Sequence, residues 1–234
     1  MMESVSCIKC KNNLCIGKVS VFASLDYEDM LEIAKRIQHR DYKKGDFLCH
    51  EGDRFSTLFI VNSGKVKLSK FNKEGKEQIL NIISDGDIFG EYHLFTDSEP
   101  YNFSAIALTD VKICTLRKQD MDYLMQKYPN ISYKVLQEVS KKLAGAENLA
   151  QNLSTINTDN KVTYVLKELA QKYGTVRNNQ VRLELPITRE EMANYAGVTR
   201  ETMSRKLSML EKDQRIETIG NKIIIIKDNR LLED

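Results

Sequence analysis

The sequence predicts an α+β protein with an N-terminal β jelly roll, a long helix and a C-terminal winged helix-turn-helix. Three observations carry this expectation. Between Asp41 and Arg117, short β-branched and aromatic segments alternate with turns at Gly45-Asp46, Gly52-Asp53, Ser63-Gly64, Glu74-Gly75 and Asp85-Gly86-Asp87, the spacing of many short strands. After Pro129 the apolar period lengthens to three and four residues and stays there for about 25 residues, which is helical. Finally, Pro186 to Asp213 reads as two short helices hinged at Gly197, and Arg215 to Lys227 follows as strand, turn and strand.

Length and composition frame that reading. At 234 residues, the chain is long enough for two domains with real cores. A hydrophobic content of 41% and a charged content of 29% are those of a globular protein, and no apolar run approaches the length of a membrane span. The N-terminus has neither a basic nor an apolar export region, so a cytoplasmic location without membrane attachment is expected. In that reducing compartment the five cysteines, Cys7, Cys10, Cys15, Cys49 and Cys114, are metal ligands, redox thiols or core residues before they are structural disulfides. The net charge is only +2, but Lys161 to Arg215 holds eleven Lys and Arg against seven Asp and Glu, the modest local excess of a nucleic-acid-binding domain. No glycine-rich phosphate loop, nucleophile elbow or His/carboxylate cluster is present, so an enzyme is not expected.

In chain order, residues 1–20 form a cysteine-rich leader. Phe22 to Arg40 reads as a short helix with Leu31, Ile33, Ala34 and Ile37 available to pack. The jelly-roll domain is assigned to residues 21–128, closing with helical residues Met121, Leu124, Met125 and Tyr128 before Pro129. The long helix is assigned to 129–156. Leu136, Val139, Leu143, Ala146, Ala150 and Leu153 fall alternately three and four apart along it, a narrow seam that fits pairing with the same helix of a second subunit. The competing use of that face is packing on its own barrel. The polar stretch Ser154 to Asn160 reads as a hinge, and 157–234 as the C-terminal domain. There Val162, Val165, Leu166, Leu169 and Ala170 open a helix, and Val181 to Leu185 supply a strand.

Within Pro186 to Asp213, Thr188 is an N-cap with Glu191 three residues on, the signature of a capping box, and Met192, Ala193 and Ala196 share a face. Gly197 breaks the helix, Val198 packs inward, Thr199 caps the second helix, and Met203, Leu207 and Leu210 form its buried stripe. In a helix-turn-helix the first turns of the second helix enter the DNA major groove. Arg200, Glu201, Ser204 and Arg205 are therefore the candidate base and phosphate contacts, with Thr188 and Thr199 at the helix starts. An ordinary αα-hairpin shares the glycine turn and the two amphipathic helices; the hairpin that follows favours a winged helix.

Three runs, GDRFSTLFIVNSGKVKL with GDIFGE, the long helix, and EEMANYAGVTRETMSRKLSMLEKD with its wing, together resemble the CRP/FNR family of bacterial transcription regulators over nearly the whole chain. The resemblance implies a homodimer with a cyclic-nucleotide-binding-like jelly-roll sensor, a dimerisation helix and a winged helix that binds a double-stranded DNA palindrome and works with RNA polymerase. Glu201 and Arg205 match the glutamate and arginine of the family's recognition helix. Ser204 matches the serine of FNR-type members and Arg200 the arginine of CRP-type members, so the half-site stands between TTGAT-like and TGTGA-like sequences. Chemically, Glu201 can accept from a cytosine amino group and Arg200 or Arg205 can donate to guanine, each good pair contributing about 1–3 kcal/mol of discrimination.

The effector has to come from the residues. Cyclic AMP binding in CRP-type sensors uses a Gly-Glu pair followed by Arg-Ser. Gly90-Glu91 is present, but Phe103 stands before Ser104 where the arginine is expected, and a cyclic phosphate without a cation lacks its charge-assisted partner. Arg54 and Lys112 are the candidates to replace that cation. Cys7, Cys10 and Cys15 gather three thiolates, and Cys114 lies in DVKICTLRKQDMDYL, which resembles the stretch carrying the fourth cluster ligand in FNR. The resemblance thus implies a [4Fe–4S] cluster and oxygen sensing, although the last leader spacing is x4 where the FNR pattern has x5. A four-sulfur site also suits zinc, and a leader-to-Cys114 disulfide needs no cofactor. Cys49 falls at an inward barrel position and reads as core. His50 and His93 are the candidates for heme, which some family members bind. The rival class is a scaffold with a cyclic-nucleotide-binding-like domain whose winged helix docks protein instead of DNA.

Overall fold

A computed structural model describes residues 17, 19–23, 25–96, 99–154, 157–178 and 180–232. The leader cysteines Cys7, Cys10 and Cys15 lie outside the described residues. The chain divides into two compact units, one made of the chain up to Lys70 with Leu80–Gly145, the other of Phe71–Ile79 with Ala146 onward.

The chain up to Gly145 carries α1 (Tyr27–Arg36), eight strands and the helices that follow them. The strands are β1 (Gln38–Tyr42), β2 (Phe47–Cys49), β3 (Thr57–Ser63), β4 (Val66–Phe71), β5 (Glu77–Ile83), β6 (Ile88–Phe89), β7 (Ser104–Ala107) and β8 (Val111–Arg117). They form two four-stranded sheets, ordered β1-β8-β3-β6 and β2-β7-β4-β5, as the jelly-roll expectation requires. Alternation along β3 and β8 sends their side chains into two different layers. Phe59, Val61, Val111 and Ile113 join the barrel interior, together with Cys49, Phe89 and Tyr101. Leu58, Ile60, Cys114 and Leu116 face an outer layer filled by Val19, Val21, Phe22, Ile33 and Ala34.

The helix expected over Phe22 to Arg40 is shorter. Asp26 accepts from the Asp29 amide and caps α1, while Ile37 is extended, with φ −77° and ψ 137°. From Gln38 the backbone pairs with β8, so the sheet ladder takes residues whose side-chain pattern alone is also helical. A four-residue helix α2 (Tyr92–Phe95) follows Gly90-Glu91. Gly90 has φ +86°, and a Cβ there would lie 2.5 Å from the Thr57 carbonyl oxygen; this turn admits only glycine. Next come α3 (Lys118–Lys127) and α4 (Pro129–Ser154). Ile131 and Val135 of α4 are buried in the outer layer, with half-buried Val139 packed against it.

The second unit contains α5 (Thr158–Tyr173), β9 (Gly174–Arg177), β10 (Gln180–Glu184), α6 (Arg189–Ala196), α7 (Arg200–Lys212), β11 (Ile216–Ile219) and β12 (Ile223–Ile226). Helix α5 starts inside the expected hinge because Asn157 caps it, accepting from the Asp159 amide. The sheet order is β11-β12-β10-β9. Strand β9 carries no sequence signal: Thr175, Val176 and Arg177 are all exposed, so no apolar alternation marks it. Helix α5 packs against α6 and α7, and Val165, Leu166, Met192, Met203, Ile224 and Ile226 are fully buried. No helix among the described residues is long and apolar enough to cross a membrane.

Candidate nucleic-acid interface and sensor site

Both helix starts of the helix-turn-helix are built as the sequence indicates. Thr188 Oγ1 accepts from the Glu191 amide at 3.2 Å while the Glu191 carboxylate accepts from the Thr188 amide at 2.9 Å, a complete capping box. Gly197 ends α6 at φ 63°, ψ 37°, a left-handed cap that glycine adopts without strain. Thr199 Oγ1 accepts from the Thr202 amide at 3.2 Å, starting α7 at Arg200. Helix N-termini concentrate unpaired amides and positive potential, which suits phosphate.

The buried face of α7 is Met203 and Leu207. Arg200, Glu201, Ser204 and Arg205 are all exposed. Glu201, Ser204 and Arg205 stand three and four residues apart, hence on one helix face. Side chains of acceptor, hydroxyl and bidentate donor type thus project together, as direct reading of base edges demands.

Three supporting contacts were not legible in the sequence. Lys206, next to Arg205, forms an ion pair with Asp159 of α5, so it braces α7 instead of joining the exposed basic set. Glu211 accepts from both the amide and the hydroxyl of Thr218, each at 2.8 Å; these bonds hold its carboxyl below the usual carboxylate range and tie α7 to the first wing strand. Arg189, partly buried, has its pKa lowered by burial and feels the charge of Glu211. Periodicity marks which helix face is apolar, but gives no hint of which polar partner a distant element supplies.

In the first unit, the Gly90-Glu91 turn carries a buried carboxylate. Glu91 is 7% exposed; its Oε1 pairs with Lys142 of α4 at 2.7 Å, and Lys142 also donates to the Ile88 carbonyl at 2.6 Å. Tyr101 is fully buried, donates to the Thr57 carbonyl at 2.9 Å and stacks on His93 at 4.1 Å. Phe103 meets Phe89, His93 and Tyr101 edge-on. Where the cyclic-nucleotide pattern expects an arginine, the chain therefore contributes to an aromatic cluster. Arg54 and Lys112 are both exposed. The two candidate heme histidines differ in environment: His93 is 1% exposed and its Nε2 donates to the Pro100 carbonyl, whereas His50 is exposed and stacks on Phe47.

The two described cysteines occupy opposite faces of the barrel wall. Cys49 belongs to the interior, and burial pushes its thiol up to about 12. Cys114 belongs to the outer layer with Val19, near the end of the leader, and with Val21 and Phe22, which follow it. Val19 is four positions after Cys15 in the chain, a span of at most about 14 Å. Cys114 thus lies on the outer face, where Val19 also packs, whereas Cys49 lies in the interior. Among the described residues alone, no group of three or more His, Cys, Asp or Glu is arranged to hold a metal.

Of the expected seam on α4, Leu136 and Leu143 are 62% and 60% exposed and Ala146 and Ala150 are exposed. Val139 packs on its own unit. The Leu153 side chain lies outside the described set.

Comparison with known proteins supplies independent findings. Residues 39–128 match the cyclic nucleotide-binding domain family and residues 160–234 the Crp-like helix-turn-helix domain family. The probable transcriptional regulator Flp of Lacticaseibacillus casei is 30% identical over 212 residues, covering 91% of this chain and 94% of its own length. The CRP-like cAMP-activated global transcriptional regulator of Mycobacterium tuberculosis is 27% identical over 216 residues, 92% of this chain and 96% of the relative. Among solved structures, a mutant of CooA from Carboxydothermus hydrogenoformans superposes with a TM-score of 0.76 at 22% identity, covering 92% of this chain and 93% of that one; that likeness concerns the fold.

Proposed function

The chain belongs to the CRP/FNR family of DNA-binding transcriptional regulators, which are not enzymes, and from that premise we propose that it is a cytoplasmic, oxygen- or redox-responsive member carrying an iron–sulfur cluster. It acts as a homodimer through α4, reads a palindrome with Glu201, Ser204, Arg205 and Arg200, and contacts RNA polymerase when bound. The observation that carries the sensing half is the placement of Cys114 in the outer layer beside the residues that follow the leader.

Cys7, Cys10, Cys15 and Cys114 would hold the group. When bound, a [4Fe–4S] cluster supplies an oxygen-sensitive redox centre. The chain's own part is to tie the leader to the outer face of β8. That face also packs α1, α3 and the first half of α4, so ordering the leader there acts on the layer that supports the dimerisation helix. Such coupling requires the bound state to favour the dimer by differential contacts; tight binding of the group alone shifts nothing.

The M. tuberculosis relative is cAMP-activated, and a cyclic nucleotide is the competing effector here. Phe103 at the expected arginine position argues against it, because the phosphate would lack its charge-assisted partner there, and Arg54 and Lys112 are exposed.

Anaerobic purification followed by iron, sulfide and zinc analysis with visible absorption spectroscopy tests the reading. Iron and sulfide with a band bleached by air are expected. Stoichiometric zinc would replace the cluster with a structural metal, and no metal at all would leave a leader-to-Cys114 disulfide as the redox device.

A further inference from the structure

The core anchors of α7 are Met203 and Leu207, four positions apart on one stripe. Two anchors in line fix the axis of a helix but leave it free to roll about that line. Polar contacts on the flanks oppose the roll, and α7 has them on both sides. At about 100° per residue, Glu211 falls on one flank of the stripe, where Thr218 holds it. Lys206 falls on the other, where it forms an ion pair with Asp159 in the first turn of α5. The Lys206 side chain is only 17% exposed, against 60% for Asp159, so the lysine is laid against the protein and does not extend into solvent. Asp159 is itself held in place, because its amide donates to the Asn157 side chain that caps α5.

We propose that Asp159 and Lys206 are positioning residues for base reading: their ion pair sets the roll of α7 against α5, and with it the direction in which Glu201, Ser204 and Arg205 point. The inference rests on the reading of α7 as the helix that enters the groove. A helix with its side chains is about 10–12 Å across, so a roll of about 20° carries the side-chain ends about 2 Å. Base-edge hydrogen bonds do not survive such a shift, because donor and acceptor must stand about 2.7–3.2 Å apart. Contacts to phosphate carry no sequence information and, made by long flexible side chains, follow the shift. Loss of the pair therefore removes discrimination and leaves general affinity for DNA. The same chemistry makes the two residues a unit. The first turn of a helix carries unpaired amides and positive potential, which repels an ammonium group; the Asp159 carboxylate is what lets Lys206 rest there. Without it the lysine swings away, and the flank is left as open as if the lysine itself were gone.

The test uses the full chain, purified without oxygen, as wild type, Asp159→Ala, Lys206→Met, the double variant and Lys206→Arg. Methionine keeps the apolar stem of the lysine without its charge; arginine keeps a donor for the carboxylate. Affinities are measured across a salt series on the palindrome that wild type selects from random DNA and on bulk DNA, with urea unfolding alongside. Asp159→Ala and Lys206→Met should each lower the ratio of palindrome to bulk affinity several-fold, the double variant should lower it no further, and Lys206→Arg should keep the wild-type ratio. Bulk affinity and its salt slope should stay the same throughout. Weaker binding to both DNAs with a flatter salt slope in Lys206→Met, beside tighter binding in Asp159→Ala, would make Lys206 a phosphate contact and overturn the proposal. A loss of unfolding stability with the ratio unchanged would also overturn it, leaving the pair as a structural contact. Should Asp159→Ala fail to fold, judged by circular dichroism, Lys206→Met against Lys206→Arg still decides through the ratio. Wild type that holds every sequence alike would overturn the reading of α7 itself, and this inference with it.

Discussion

Glu211 at the end of α7 and Thr218 in β11 are joined twice, the carboxylate accepting from both the amide and the hydroxyl of the threonine at 2.8 Å. The pair fixes where the β11-β12 hairpin leaves α7. Gly220, at φ +60° in the turn between β11 and β12, then carries the tip back. Thr218→Val removes one of the two bonds and keeps the side-chain volume. The expected result is weaker DNA binding on all sequences alike, with base preference unchanged, because the wing's orientation changes while α7 keeps its side chains. Gel shifts on a selected palindrome and on bulk DNA check this; a loss confined to the palindrome would mean that Thr218 acts through α7.

Base reading is tested on α7 itself. Glu201→Ala should relax preference at one base pair of each half-site, costing about 1–3 kcal/mol of discrimination there. Arg205→Ala should lower affinity more broadly and flatten the salt dependence if its guanidinium also meets a phosphate. Thr199→Ala, which removes the cap of α7, should cost about 1 kcal/mol in stability and weaken binding without altering preference. Site selection with each variant separates these outcomes. Identical selected sites and affinities for wild type and both side-chain variants would remove α7 from the groove.

How much of this was legible in the sequence follows the range of the physics involved. The capping box, the glycine cap and the buried stripe of α7 depend on residues within four positions of each other, and the structure has them where periodicity puts them. Glycine turns likewise announced the jelly roll. Errors arose where a distant partner decides: Gln38 to Tyr42 belong to β1 because β8 is there to pair with, and β9 exists through β10 although its own side chains are exposed. The same holds for the sites. Cys114 was identifiable as a candidate from its flanking residues, but its position on the outer face, beside His39, is a matter of register. Lys206 and Lys142 look like surface lysines in sequence, and only the fold shows the carboxylates they meet.

The dimer prediction rests on Leu136 and Leu143, two large apolar side chains more than half exposed on α4 in a single chain. Burying a leucine contributes about 1.5–3 kcal/mol, so covering both on each subunit is a substantial drive to pair. Leu143→Glu would set like charges against each other near a two-fold axis. It should weaken the dimer by about ten-fold or more, seen as dissociation in light scattering at concentrations where wild type stays paired, with DNA affinity falling in parallel. A variant that remains dimeric would move the interface off this stripe.

His93 carries a pH prediction. Its Nε2–H is committed to the Pro100 carbonyl at 3.2 Å, its ring stacks on Tyr101, and Nδ1 is buried without a partner among the described residues. Protonation would place a second N–H, and a charge, where no described residue accepts it. Burial accordingly holds its pKa below the ordinary 6.5, outweighing the opposing pull of the Pro100 carbonyl and of Glu91 and Glu99. The sign follows from linkage. Below about pH 6.5 the unfolded chain takes up a proton at this position that the folded chain resists, so the unfolded state binds more protons and stability rises with pH through that window. The contribution is full above the unfolded value and is lost as pH falls toward the folded one, at a slope of at most about 1.4 kcal/mol per pH unit for one group. His93→Gln keeps a donor for Pro100 and does not titrate. Urea unfolding at a series of pH values from about 7.5 down to about 5 should show wild type losing stability faster than His93→Gln. Parallel losses in the two proteins would assign the acid sensitivity to other groups and leave His93 as a packing residue.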